Sequence, residues 1–198
     1  MNPKTLSALS QLNDLRHAAF EAMERKHKYP ALLLFYSFID ICAALADESK
    51  TKDNRARFEG FLQKYALLSW KSFRPYELWA ARSSLLHAYS PFGNHTAKVD
   101  GAKPIFYYAY PETEAEIREA LDSKGHTGYI LLDISTIKHI AVSCFNAMWS
   151  RVEAEESFEK SFLNNAEHLL QDLFQIRLEK ELTLMSELIA LREEQERQ

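Results

Sequence analysis

The sequence predicts a mainly α-helical single domain, residues 1–198, with one small β-ribbon. Three observations carry that prediction. Apolar residues recur at three- and four-residue steps through successive stretches of the N-terminal half. Only Gly60 of the five glycines occurs before position 90, which suits helices joined by short loops. The texture then changes at Pro91: residues 91–128 hold the other four glycines and three of the six prolines. At 198 residues, 46% hydrophobic and 26% charged, the chain has the length and composition of a soluble domain with a sizeable core.

Residues 5–28 read as a first helix, with Leu6, Leu9, Leu12, Leu15, Ala19 and Met23 on one side and Pro30 as its breaker. Residues 31–47 form a second helix that is apolar nearly all round, hence central. Its apolar run, Ala31 to Ala46, is shorter than a membrane span and contains Asp40, so a core helix is expected and no membrane. A buried carboxylate needs a partner or a shifted pKa. Asp40 either bonds a core Arg, Tyr or Trp, the preferred reading, or lines a polar cleft.

After a polar connection, residues 55–70 give a third helix striped by Phe58, Phe61, Leu62, Tyr65 and Leu68. The fourth runs from Arg74 to Pro91. Pro75 suits a first turn, where its missing N–H costs nothing, and Glu77 complements the helix dipole there. Pro91 disfavours helical geometry at Ser90. Leu78, Ala81, Leu85 and Ala88 are the buried stripe, and Arg82 and His87 are the residues this stripe leaves unexplained.

Ile105 to Tyr110, bounded by Pro104 and Pro111, and Tyr129 to Ile134 are strand candidates expected to pair antiparallel. The aromatic run in the first is expected to pack on the helices rather than to stack bases. Glu112 to Ser123 between them reads as a short acidic helix. Ser135 or Thr136 is the expected cap of a helix to about Glu153, with Ile137, Ile140, Ala141, Cys144, Phe145 and Met148 as its apolar face. Residues 155–195 continue as a long C-terminal helix with a break near Asn164-Asn165. Its apolar content is too high for a solvated tail, so it folds back or packs on another chain, and no strict heptad persists.

Cys42 and Cys144 fall within apolar helical patterns and read as reduced thiols of a cytoplasmic protein. The N-terminus lacks the apolar core of a signal peptide. Asn94-His95-Thr96 matches a glycosylation sequon that has no meaning in the cytosol. The net charge of −4 hides an asymmetry. Residues 50–103 hold ten Lys or Arg against four Asp or Glu, and residues 151–198 hold six against twelve. The basic segment, which carries Arg82 and His87, suits an anionic ligand, or else is simply a solvated face.

No glycine-rich phosphate loop, serine-nucleophile motif or metal-ligand spacing of histidines is present, so no cofactor and no metal is expected. Arg82 and His87 lie about 140° apart around a helix axis and about 7.5 Å along it. With Tyr89, nearly on the Arg82 side, they border one polar surface at the helix end. His87 sits in the last turn, where the dipole favours imidazolium. On these residues alone, a structural ion pair and a helix-end histidine is the alternative reading.

The pattern Arg82-x4-His87-x-Tyr89, at the end of a helix in an all-helical domain, resembles the signature of the HEPN superfamily, in the form found in HEPN toxins paired with nucleotidyltransferase antitoxins. The resemblance covers roughly residues 5–155 and leaves 156–198 as an acidic extension. Where many members carry Asn, Asp or His after the arginine, this chain has Ser83. The resemblance implies a HEPN-like bundle acting as a metal-independent endoribonuclease, a toxin or defence effector. RNA supplies its own 2′-hydroxyl nucleophile and leaves a 2′,3′-cyclic phosphate and a 5′-hydroxyl. His87 then moves protons and Arg82 stabilises the phosphorane. Two proton transfers and one histidine per chain imply a homodimer with both motifs in one cleft. Asp40 and Ser83 are supporting candidates. Tyr89 matches the tyrosine that a nucleotidyltransferase antitoxin adenylylates, or is an ordinary helix-end aromatic. The competing class is a non-catalytic HEPN-like dimerisation or partner-docking module.

Overall fold

A computed structural model describes residues 2–66, 72–88, 101–167 and 169, with the backbone alone at 87 and 88. The chain is mainly helical, with one two-stranded sheet among the described residues. Its elements are α1 (Pro3–Glu24), α2 (Lys28–Leu45), α3 (Asn54–Tyr65) and α4 (Pro75–Ala88), then β1 (Ile105–Tyr108), α5 (Glu114–Ser123), β2 (Ile130–Asp133) and α6 (Ile134–Ala154). A further helix, α7, covers residues 156–167.

The second helix is central, as its composition requires. It packs against α1, α3, α4 and α6. Length and composition alone would pass α2 as a membrane span. Its burial in the bundle accounts for the same composition: Leu32, Phe35, Tyr36 and Phe38 are fully enclosed. Cys42 and Cys144 are buried free thiols. Burial raises both thiols, that of Cys144 to about 12, so neither is a ready thiolate.

Pro30 does not end the first helix. It stands in the first turn of α2, where its N–H would have no helical partner. The break lies earlier, at Lys26, whose backbone is left-handed with φ 64°. His27 N–H reaches Ala22 O at 2.8 Å and Lys26 N–H reaches Met23 O at 3.0 Å, a Schellman closure that a sequence without glycine there does not advertise.

The strands pair parallel, not antiparallel, with Ile105 opposite Ile130 and Tyr108 opposite Asp133. The physical reason is the connection. A 3-10 turn (Pro111–Thr113) and α5 carry the chain back along β1, so β2 starts again at the same end. The first strand is tied to α2 by a hydrogen bond between the buried Tyr36 and Tyr107 hydroxyls, whose rings meet edge-on at 6.5 Å. The cap of α6 is Asp133, whose carboxylate accepts from Ser135 N–H at 2.8 Å; Ser135 and Thr136 already lie inside the helix. The last strand residue thus doubles as the cap.

No break occurs at Asn164-Asn165, which are helical; the chain turns at Glu155 instead, with φ −123° and ψ 103°. From there α7 folds back on the bundle, burying Phe158 and Phe162 completely. Asn165 donates its amide to Leu45 O at 3.1 Å and Asp47 O at 2.9 Å, satisfying carbonyls at the end of α2. The expected stripe residue Leu68, the helix end at Ser90 and Pro91, the sequon and the tail from 170 onward lie outside the described residues.

Candidate functional site

The fourth helix positions the site. Arg74 precedes Pro75, and Glu77 reaches back to accept Arg74 N–H at 2.7 Å, a capping contact made with a carboxylate that is only 4% exposed. The helix is thereby fixed at its start, and Leu78, Ala81 and Leu85 face inward as the spacing requires. Arg82 leaves this stripe and turns toward α2.

There its Nε donates to Asp40 Oδ2 at 2.6 Å, and a terminal guanidinium nitrogen pairs with the same oxygen. Trp79, three residues earlier and so on the same side of α4, lies under the guanidinium at 4.8 Å from its ring centroid. Phe58 of α3 backs Trp79 at 5.5 Å. The Arg82 side chain keeps 21% of its surface exposed and that of Asp40 23%, so the pair sits at a solvent edge, neither sealed in the core nor free.

Of the two readings of Asp40, the contact shown is the structural one, a bond to an arginine. Burial raises its carboxyl above the usual value; Arg82 and, more weakly, Arg57 pull it back. Arg57 also lines an open groove of about 430 Å³ between the end of α2 and α3, with Asp47, Gly60, Lys64 and Tyr65. The same groove is lined by Asp47 and Glu48, and Lys64 pairs with Glu48 at 3.3 Å, so its cations are matched by carboxylates. Asp40 is not among the described residues that line it.

The structure brings Arg82 and Asp40 together. It places His87 in the last turn of α4, five residues on, but the His87 side chain and Tyr89 lie outside the described residues. Ser83 is 4% exposed and points into the bundle, away from the solvent edge that Arg82 occupies. Trp79 is the site residue that sequence reasoning missed; a tryptophan three residues before an unexplained helical arginine was the available signal. Among the described residues no group of three or more His, Cys, Asp or Glu side chains is arranged to hold a metal ion.

One consequence concerns stability. Asp40→Ala leaves a largely buried guanidinium without its carboxylate and is expected to cost about 1–3 kcal/mol in urea unfolding. Arg82→Ala should cost no more, and a double-mutant cycle should show coupling between them. The pH dependence has a definite sign. A carboxyl raised above its usual value of 3.8 binds its proton more tightly in the folded chain. The stability it contributes is full below that value and is lost as pH rises through the raised one. Wild type measured against Asp40→Asn should show that loss; a difference that grows with pH overturns the assignment.

Compared with family models, curated proteins and solved structures, the chain matches none.

Proposed function

We propose that this chain is a metal-independent endoribonuclease of HEPN type, working as a cytoplasmic homodimer and acting as a toxin or defence effector. The observation that supports it best is the state of Arg82. A guanidinium held between a carboxylate edge and an indole face, at a solvent edge of the helix that also carries His87, is pre-set for an anionic ligand.

In this reading the RNA 2′-oxygen attacks the adjacent phosphorus as its proton passes to a base. The P–O5′ bond breaks and the 5′-oxygen takes a proton from an acid. His87 of one protomer serves as one of these groups and its symmetry mate as the other. Arg82 donates to the non-bridging oxygens as negative charge develops. Asp40 is a positioning residue that holds the fork and sets its reach. Tyr89 is the position at which a nucleotidyltransferase-type antitoxin would silence the enzyme.

The test is product chemistry together with assembly. Incubated with mixed RNA and excess chelator, the protein should leave 2′,3′-cyclic phosphate and 5′-hydroxyl ends, and should sediment as a dimer at micromolar concentration. A monomer, or ends of another kind, sinks the mechanism.

One observation favours a second reading. The Asp40 carboxylate already neutralises Arg82, as in a purely structural pair. A non-catalytic dimerisation or partner-docking module would need nothing more. Wild type that dimerises through α4 yet cuts no RNA selects that reading.

A further inference from the structure

We infer that the seam between α1 and α6 is the docking surface for this chain's own C-terminal segment, residues 170–191. Nothing in it depends on RNA being the ligand.

The seam is built on the central helix, since α1 and α6 both pack on α2. Phe20 of α1 meets Phe35 of α2 with ring centroids 5.8 Å apart, and Phe145 of α6 meets Phe38 at 5.6 Å. Two cations cross between the flanking helices. Arg16 of α1 sits 5.1 Å from the Phe145 centroid, and Lys138 of α6 sits 4.9 Å from that of Phe20. Among the described residues neither cation forms an ion pair. The half-buried Arg16 donates to the neutral amide oxygen of Asn13, and its Nε is buried without an acceptor. Of the acids on α1, Glu21 is taken up by Arg25, while Asp14 and Glu24 are exposed. A ring face attracts a guanidinium but does not neutralise it; a carboxylate does. An element that covers the seam must therefore bring carboxylates on an otherwise apolar face.

The chain carries such an element. Phe158, Phe162 and Ala166 of α7 are buried, but Leu169, next on the same stripe, is 44% exposed, so the bundle ends beneath it. Lys4 Nζ bonds Glu167 at 2.6 Å, which sets the end of α7 beside the start of α1. Arg16 lies twelve residues along α1 from Lys4, about 18 Å along the axis. Residues 170–191 lie outside the described residues. Eleven of them are Leu, Ile, Phe or Met, and Asp172, Glu179, Glu181 and Glu187 stand against Arg177 and Lys180. Such a stretch spans about 33 Å even as a helix, so the same protomer's segment is long enough to run the seam. The groove between α2 and α3 makes no comparable demand, because its cations already meet Asp47 and Glu48.

Trypsin is the probe, because Arg177 and Lys180 stand within the segment. The full chain is digested under native conditions and cleavage after these two residues is timed by mass spectrometry. Each rate is divided by that of the same bond in a peptide of residues 170–191 carrying the same substitutions. The wild type should be cut far more slowly than its peptide. Arg16→Gln with Lys138→Gln should speed the cuts about ten-fold, and so should Glu179→Gln with Glu181→Gln and Glu187→Gln. The second variant leaves the described bundle untouched, so it decides the matter if the first fails to fold. Wild-type cutting as fast as the peptide overturns the inference, as does protection that survives the glutamate substitutions. Protection that grows with protein concentration assigns the seam to a second copy and overturns docking within one chain.

Discussion

His87→Ala is expected to abolish cleavage of RNA while leaving the fold intact. The last turn of α4 holds His87, which is not one of the stripe residues Leu78, Ala81 and Leu85, and alanine is a good helix former there. Proton transfer by a positioned side chain contributes about 10²- to 10⁴-fold in rate. In the proposed mechanism one histidine per protomer would serve a two-proton reaction, so the loss should lie at the upper end. Arg82→Lys should also be poor, for two reasons visible in the site. An ammonium cannot reproduce the fork that meets Asp40 Oδ2 through Nε and a terminal nitrogen, and it lacks the flat face that lies on Trp79. Cleavage of a mixed RNA pool by wild type and variants, at equal folded concentration, is the measurement. Equal cutting by wild type and His87→Ala identifies a contaminating nuclease. Inactivity of both, without toxicity in cells, leaves the docking-module reading.

Periodicity made the helices legible because burial on a helix is local: Phe58, Phe61, Leu62 and Tyr65 repeat at the helical step and are all buried together. The central place of α2 was legible for the same reason. What periodicity does not carry is pairing between distant residues. Asp40 announced that it needed a partner, but the partner stands 42 residues away and depends on how α2 and α4 cross. The strand direction was misread because each strand was judged by its own composition, whereas the intervening helix decides the direction. The boundaries at Lys26 and Asp133 went unread because a lysine closes a helix where glycine is usual and a strand residue caps the next helix. In the site, Arg82 and Asp40 were visible as exceptions to an apolar pattern. Trp79 was not, because an aromatic in a half-buried helix raises no exception.

Phe162→Ala is expected to destabilise the chain by about 3–5 kcal/mol, the usual cost of emptying a fully enclosed aromatic position. Its side chain is 0% exposed, as is that of Phe158, and both belong to α7, which lies beyond the stretch that the HEPN resemblance covers. The size of the effect follows from what α7 joins. Arg151 of α6 lies over the Phe158 ring at 4.1 Å while its guanidinium bonds Glu155 and reaches Glu48 and Tyr65. Glu159 accepts from Asn2 N–H at 2.9 Å and Thr5 Oγ1 at 3.0 Å at the start of α1. Asn165 covers the end of α2, the helix that carries Asp40. Loosening α7 therefore loosens the frame on which the Arg82 pair is built. Urea unfolding should show the midpoint falling with an unchanged slope. The loss should not depend on protein concentration, because the contacts lie within one chain. A cost under about 1 kcal/mol would remove α7 from the core. A strongly concentration-dependent loss would mean that this face is completed by a second chain.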